Sequence, residues 1–493
     1  MRVELESALD PLVLALDVGS IATRGGLYDA AARPVRGMRH KVPHHFTTSP
    51  SGASEIDPDA VVREVEAILV HVAVGEVEGR VRGVALDTFA SSLVGVDTGG
   101  RAVTPCYTYA DSRNAAQAEQ LRRELDEAAV HQRTGCRLHT SYLPARLRWL
   151  TDTAPDVVDR VDRWLSLGEY VHLQLLGTAV VGTSTAAWTG MLDRRTGRWD
   201  AELLRASGAR AEQLSEVRDP EAPVTDPPAD VARRWPALAG AAWFPVVTDG
   251  FASNIGAGAA REDTIAASAA TSGALRVLLG HMPEELPAGL WCYRVGAGRW
   301  LLGGALNDVG RVVTWLESTL RLSGSADLGA VLAAPPEDTT PVVLPYLTGE
   351  RSPGWATGAR AVLGDVSVTS GPEQLFRGAM EGVALAFGRV ADPLQQVGGR
   401  AARILASGRV SQELPDWLQV LADVLDAPVE HVTMKRTTLR GTALLALEVL
   451  APDTPRSPAD SGAVYTPYAE RAPYYAARRH RFQQLYEAAV AAG

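Results

Sequence analysis

Cysteine is scarce: Cys106, Cys136 and Cys292 are the only three in a chain of 493 residues. They are odd in number, lie far apart and share no metal-ligand spacing with a histidine, which excludes a disulfide framework and a zinc module. They read as reduced, mostly buried thiols. Positive charge is also in deficit, with 48 lysines and arginines against 58 aspartates and glutamates and a formal net charge of -10. A general nucleic-acid surface and binding to an anionic membrane both need basic patches, so neither partner is expected. Any anionic ligand must be held by a local device. No apolar run approaches the roughly eighteen residues that a membrane span needs. Residues 1–10 are acidic and lack the basic-then-apolar order of a secretion signal, so a cytoplasmic protein is expected.

The chain does have the material for large cores. A composition of 46% hydrophobic and 22% charged residues is that of a globular protein, and the length exceeds what one core usually holds. Two domains are expected, 11–258 and 259–450, followed by a proline- and tyrosine-rich surface tail at 451–493.

Leu12 to Leu16 is a short apolar run ending in Asp17-Val18-Gly19-Ser20, which predicts a buried strand that delivers a carboxylate to a tight turn. Thr23 to Asp29 returns as a second strand, a hairpin rather than the strand-to-helix opening of a dinucleotide-binding fold. Val81 to Leu86 and Leu93 to Val96 read as strands, and Ala115 to Leu125 and Ala145 to Leu150 as helices, so the class is mixed α/β. Near residue 264 the pattern restarts: Thr264 to Ala267 leads into Ala270-Thr271-Ser272-Gly273, and Ala274 to Leu279 returns. Two such units imply an internal duplication with a ligand gripped by both turns. Phe376 to Val390 has helical spacing, and Gly378 and Gly382 within it predict close packing against another backbone. A further helix is expected over Leu414 to Leu425.

In order along the chain stand Asp17-Val18-Gly19-Ser20, Asp111-Ser112-Arg113, Asp249-Gly250, Thr271-Ser272-Gly273, Gly349-Glu350-Arg351-Ser352-Pro353, Glu381-Gly382 and Ala406-Ser407-Gly408. Together they resemble the FGGY carbohydrate kinases over nearly the whole chain. The resemblance implies two actin-like, ribonuclease-H-like domains with a catalytic cleft between them, ATP and Mg²⁺ as cofactors, and it leaves a homodimer open. Thr134-Gly135-Cys136, Gly168-Glu169-Tyr170, Thr189 to Asp193 and Trp417-Leu418-Gln419 are most similar to the gluconokinase branch. Similar stretches occur in xylulokinases and other pentulose kinases.

Phosphoryl transfer to a sugar hydroxyl needs positioned phosphates, a metal ion to offset charge and a base for the departing proton. The resemblance implies that Asp249 is that base and that Asp17 lies near the nucleotide's Mg²⁺; the alternative for each is an aspartate that only caps its turn. The backbone N–H groups of Gly19, Ser20, Thr271, Ser272 and Gly273 suit phosphate oxygens because small residues allow close approach. Thr23, Arg24, Gly310, Ser407, Gly408 and Arg409 complete the implied nucleotide side. Ser91, Tyr109, Asp111 and Arg113, with Asp249, form the implied sugar side.

Several positions depart from the family pattern. Tyr109 stands where an indole is usual, Ala90-Ser91 where gluconokinase-like chains place an aromatic and a histidine, Arg409 in place of a glycine, and Gly182 where many relatives carry aspartate. Losing a histidine donor changes which sugar hydroxyls can be paired. A gluconate carboxylate would need a cation, for which Arg146, His139 and Arg351 are candidates by type; Arg351 paired with Glu350 as a loop clamp is the alternative. The expectation is phosphorylation of a terminal hydroxyl of a sugar acid, D-gluconate to 6-phosphogluconate. A pentulose or polyol kinase and a catalytically weak sugar or nucleotide sensor are the competing readings.

Overall fold

The computed structural model describes residues 2–320, 322 and 327–491. The chain forms two compact units. The first comprises Met1–Gly258, Cys292–Trp300 and Arg436–Ala459; the second comprises Ala259–Trp291, Leu301–Lys435 and Asp460–Gly493. No helix among the described residues is long and apolar enough to cross a membrane. All three cysteines are free and buried.

The first unit is built on β1 (Leu12–Val18), β2 (Ala22–Tyr28), β3 (Pro34–Pro43), α1 (Pro58–Val72), β4 (Val81–Thr88), β5 (Ala242–Trp243), β6 (Val247–Thr248) and α2 (Asp249–Ala257). The sheet runs β5–β4–β1–β2–β3, with β6 also paired to β4. β1 is antiparallel to β2 and parallel to β4. All seven of its residues are buried, because helices cover both faces of the sheet; a central strand in that position reads as one unbroken apolar run. α1 covers one face. It starts where Asp57 accepts a hydrogen bond from Asp59 N and Pro58 takes the first helical position, both favoured choices for a helix start. Val61, Val65, Ile68, Leu69 and Val72 form its buried stripe.

The helix Thr437–Leu450 covers the other face, packing on β1 and β4 and against α2. Its crossing with α2 is unusually close. A Cβ on Gly441 would lie 1.7 Å from Ala252 O, and one on Gly256 would lie 1.8 Å from Thr437 O. Backbone therefore meets backbone, inside the 8–10 Å separation that ordinary side chains impose on packed helices. Arg440 donates to Gly256 O at 2.8 Å, satisfying a carbonyl at the end of α2 that the helix itself leaves unpaired.

The second unit repeats the plan with β7 (Thr264–Ala269), β8 (Gly273–Leu279), β9 (Arg299–Leu306), α3 (Gly310–Thr319), α4 (Pro372–Gly398), β10 (Arg403–Ser407), β11 (Val429–Val432) and β12 (Ser461–Tyr465). Its strands follow the order β9–β8–β7–β10–β11–β12. β7 is antiparallel to β8 and parallel to β10, as β1 is to β2 and β4. The duplication expected from the two hydroxyl-bearing turns is present in the topology, and each unit has the ribonuclease-H-like arrangement. Gly378 and Gly382 do face a backbone: a Cβ on either would come within 2.3 Å of Pro341 O or 2.1 Å of Val343 O.

Residues 451–493 are more than a surface tail. β12 pairs with β11, and the helix Ala472–Tyr486 buries Tyr475, Arg478, Phe482 and Tyr486. Arg478 donates to the carbonyls of Thr340 and Pro341, each at 2.6 Å, and pairs with Glu381 at 3.3 Å. The strand is exposed, and the helix sets Tyr475, Phe482 and Tyr486 on one face that tertiary contact buries.

Gly441→Ala is expected to destabilise the first unit by at least the roughly 1–3 kcal/mol of ordinary core overpacking, read as a lower urea midpoint, since the clash is with fixed backbone. Gly75→Ala, where a Cβ meets nothing within 4 Å, is the neutral control; equal midpoints for the two variants would contradict the close crossing.

Candidate active site

The strand registers of the first unit bring three carboxylates to one level. Asp17 on β1 lies opposite Asp87 on β4, Asp87 lies opposite Val247 on β6, and Asp249 opens α2 immediately after β6. These are the carboxyl ends of parallel strands, where open α/β sheets hold ligands. Asp87 was not singled out from the sequence; only its register with Asp17 exposes it. It is fully buried, accepts a hydrogen bond from Thr442 at 2.6 Å, and its carboxyl shares a side-chain hydrogen bond with that of Asp17. Burial pushes the Asp87 carboxyl well above the usual carboxylate range, and the charges of Asp17 and Asp249 push the same way. Burial also raises Asp17, while the Arg24 guanidinium opposes the shift through an ion pair of 3.1 Å. Burial and like charge thus favour the protonated form of Asp87, while Arg24 counters the same pressure on Asp17. Asp249 is half-buried, and its Oδ1 accepts from Gly250 N at 2.7 Å.

The β1–β2 turn closes by Gly19 N donating to Ala22 O at 3.1 Å. A second residue that the sequence reading passed over, His44, clasps this turn. Its backbone N donates to Ile21 O at 3.1 Å, and its Nε2 lies 2.8 Å from Gly19 O. A carbonyl only accepts, so Nε2 is the donor in this bond. His44 Nδ1 lies 2.8 Å from Glu64 Oε2, to which Thr23 also donates at 2.6 Å. Glu64 on α1 therefore orients both the imidazole and the hydroxyl that hold the turn, and Thr23 serves the turn from behind.

On the implied sugar side, Tyr109 is exposed, with its ring edge-on to Phe89 at 6.1 Å and Phe46 at 6.4 Å. Such an aromatic wall can stack on a polyol. Asp111 and Arg113 form a buried fork: Arg113 Nη2 donates to Asp111 at 2.6 Å and also pairs with Glu55, while its guanidinium lies 4.6 Å over the Trp149 ring. Ser91 sits in the left-handed region at φ 57°. Its Oγ donates to Trp188 O at 2.6 Å, and its carbonyl accepts from Arg146 at 2.7 Å. Arg146 is fully buried, and loss of hydration lowers it to about 10. His139 accepts from Ser141 N at 3.2 Å within its own turn. At Gly182 a Cβ would lie 2.1 Å from Val246 O, so a larger residue there would displace the strand that leads to Asp249.

In the second unit, three glycines converge on the β7–β8 turn. Ala270 N donates to Ser272 O at 2.9 Å, and Gly310 N, at the start of α3, donates to Ala270 O at 2.8 Å. A Cβ on Gly310 would lie 2.5 Å from Ala270 O, and one on Gly408, at φ +110°, would lie 2.4 Å from Ala269 O. Thr271 and Ser272 are exposed, Gly273 is buried, and Ser407 and Gly408 are half-buried beside them. Arg409 is turned along its helix to Glu413 at 3.1 Å and to Thr314 at 3.3 Å. The expected Glu350–Arg351 clamp does not form. Glu350 pairs instead with Arg389 at 2.6 Å, and Arg351 lies 5.8 Å over the Trp355 ring, because the fold buries the Glu350 carboxylate against α4.

Two ribonuclease-H-like units, one with a cluster of carboxylates at its strand ends and the other with a glycine-lined turn, define an actin-like phosphotransferase fold. The chain belongs to the FGGY family of carbohydrate kinases: the N-terminal domain model of that family matches residues 12–256 and the C-terminal domain model residues 266–448. It is similar to a gluconokinase of Bacillus subtilis (strain 168), 24% identical over 455 residues that cover 88% of this chain and 87% of that protein. A glycerol kinase of Gloeobacter violaceus is 27% identical over 457 residues, covering 89% and 88%. The solved structure of a gluconate kinase from Lactobacillus acidophilus superimposes with a TM-score of 0.90 over 97% of this chain and 98% of that one, at 24% identity. The protein is accordingly an ATP-dependent carbohydrate kinase, a phosphotransferase with an alcohol acceptor.

His44→Phe removes the side-chain clasp on Gly19. It is expected to lower kcat/KM for ATP by about a hundredfold, the scale of a 1 Å misplacement, with KM for the acceptor unchanged; steady-state kinetics varying each substrate in turn would show it.

Proposed function

We propose that this kinase transfers the γ-phosphoryl group of ATP to a terminal hydroxyl of an open-chain sugar acid, D-gluconate, with Asp249 as the base. The carrying observation is the placement of Asp17, Asp87 and Asp249 at the ends of β1, β4 and β6. Asp249 takes the hydroxyl proton or, in a loose transition state, mainly orients the hydroxyl. Tyr109, Ser91, Asp111 and Arg113 shape the acceptor side, the first by stacking and the others by fixing the wall. In the first unit the backbone N–H groups of Gly19 and Ser20, with Thr23 and Arg24, suit nucleotide phosphate oxygens; in the second unit those of Thr271, Ser272 and Gly273 do so, with Gly310, Ser407, Gly408 and Arg409 beside their turn.

Mg²⁺ fits the first unit through Asp17, a buried carboxylate at a strand end that pairs with Arg24 and lies opposite Asp87. Asp17 would hold the ion, which when bound supplies charge neutralisation to the nucleotide phosphates.

One observation favours a neutral acceptor as the second reading. Both arginines of the sugar-side wall are engaged: Arg113 with Asp111 and Glu55, and Arg146 with the carbonyls of Ser91 and Thr140. A carboxylate would have to draw one of them away, whereas a polyol or pentulose would not.

ADP release with Mg²⁺-ATP across D-gluconate, D-xylulose, L-ribulose, glycerol and erythritol tests both readings. Selective turnover of gluconate, reduced about 10²–10⁴-fold in Asp249→Asn, is expected. Turnover of a neutral polyol instead moves the acceptor to that class, and no turnover with any of them points to a sensor.

A further inference from the structure

A second concavity in the first unit, of about 150 Å³, is lined by Arg24, Gly25, Arg39, His40, Lys41, Arg436 and Leu439. Its cations converge because of strand register. Arg24 on β2 lies directly opposite Lys41 on β3, so their side chains share a face of the sheet. Arg39, two residues before Lys41, returns to that same face. Arg436 comes from far along the chain. It immediately precedes the helix Thr437–Leu450, in the left-handed conformation at φ 69° and with no side-chain cap on the helix start.

The charge around this hollow is uncompensated. Arg24 is paired with Asp17, but among the described residues Arg39, Lys41 and Arg436 have no carboxylate within ion-pair distance. The Arg436 guanidinium is held below its usual value first by burial and then by the neighbouring charges of Arg39, Arg2 and Arg24. In a protein of net charge -10, exposed cations gathered around one hollow make a local positive field that draws anions to it. The volume accommodates one phosphate group with a few waters.

We infer that this hollow is an anion site that binds one phosphate group of a small molecule other than the nucleotide, held by Arg39, Lys41 and Arg436. Arg24 couples it to Asp17, since a bound dianion competes with Asp17 for the same guanidinium. Occupancy therefore weakens the Arg24–Asp17 pair and raises KM for ATP. That kinetic consequence rests on the function proposed above; the binding itself does not.

Isothermal titration calorimetry of the full chain with inorganic phosphate and with pyrophosphate, at constant ionic strength and without acceptor, measures binding apart from turnover. Saturable binding is expected, weakened at least about tenfold in Arg436→Glu and Lys41→Gln and largely kept in Arg436→Lys. Pyrophosphate is also expected to protect Lys41 from amine acylation while sparing Lys435, the only other lysine. Arg436→Gln, compared with the parent by melting temperature, separates lost binding from lost folding. Unchanged affinity in the Arg436 and Lys41 variants would falsify the site, and complete displacement of phosphate by a saturating non-hydrolysable ATP analogue would reassign it to the nucleotide and overturn the proposal. If binding follows these expectations but KM for ATP does not rise, the coupling through Arg24 is wrong.

Discussion

The backbone crossing of α2 with the helix Thr437–Leu450 is the constraint on which the first unit depends. Neither Gly256 nor Gly441 has room for a single methyl group, so the two helices are locked at a distance that side chains normally prevent. Three consequences follow from one contact. Asp249, at the first turn of α2, is set beside the strand ends; Thr442, one residue beyond the crossing, reaches Asp87; and Arg440, one residue before it, closes the far end of α2. Close packing of this kind has no slack, because protein interiors are as dense as organic crystals.

On the sheet side of that crossing the electrostatics are arranged in pairs. Asp17 has Arg24, Asp87 has Thr442, and Glu64 has His44 and Thr23. Burying several carboxylates in one region is unfavourable unless each is paired or neutral, and each of these three has a partner within the first unit. Arg24 is the element shared between this cluster and the basic hollow on β2 and β3. A charge relation at one site is therefore felt at the other without any need for a change of fold.

Much of the architecture was legible in the sequence. The unbroken apolar run at 12–16, the repeated hydroxyl-bearing turns and the glycine pair at 378 and 382 each carried a physical reason that the structure bears out. The less legible parts were pairings across the chain. Asp87 reads in sequence as the polar end of an apolar strand, and His44 as a histidine in a loop; only parallel register and the return of β3 bring them to Asp17 and Gly19. Arg351 is the converse case. Adjacent opposite charges suggested a clamp with Glu350, but burial of the Glu350 carboxylate against Arg389 and Tyr486 gave it stronger partners.

The division has a simple physical basis. Periodicity, turn chemistry and ordered motifs are local, and they determined the class of fold, the duplication, the family and the strand that carries Asp17. Positions of charge are non-local: the meeting of Arg24, Lys41 and Arg436 joins residues from β2, β3 and a segment some four hundred positions later in the numbering. Whether a carboxylate is ionised, an arginine engaged or a glycine irreplaceable depends on which atoms the tertiary structure brings within a few ångströms, and that was decided by register and helix packing.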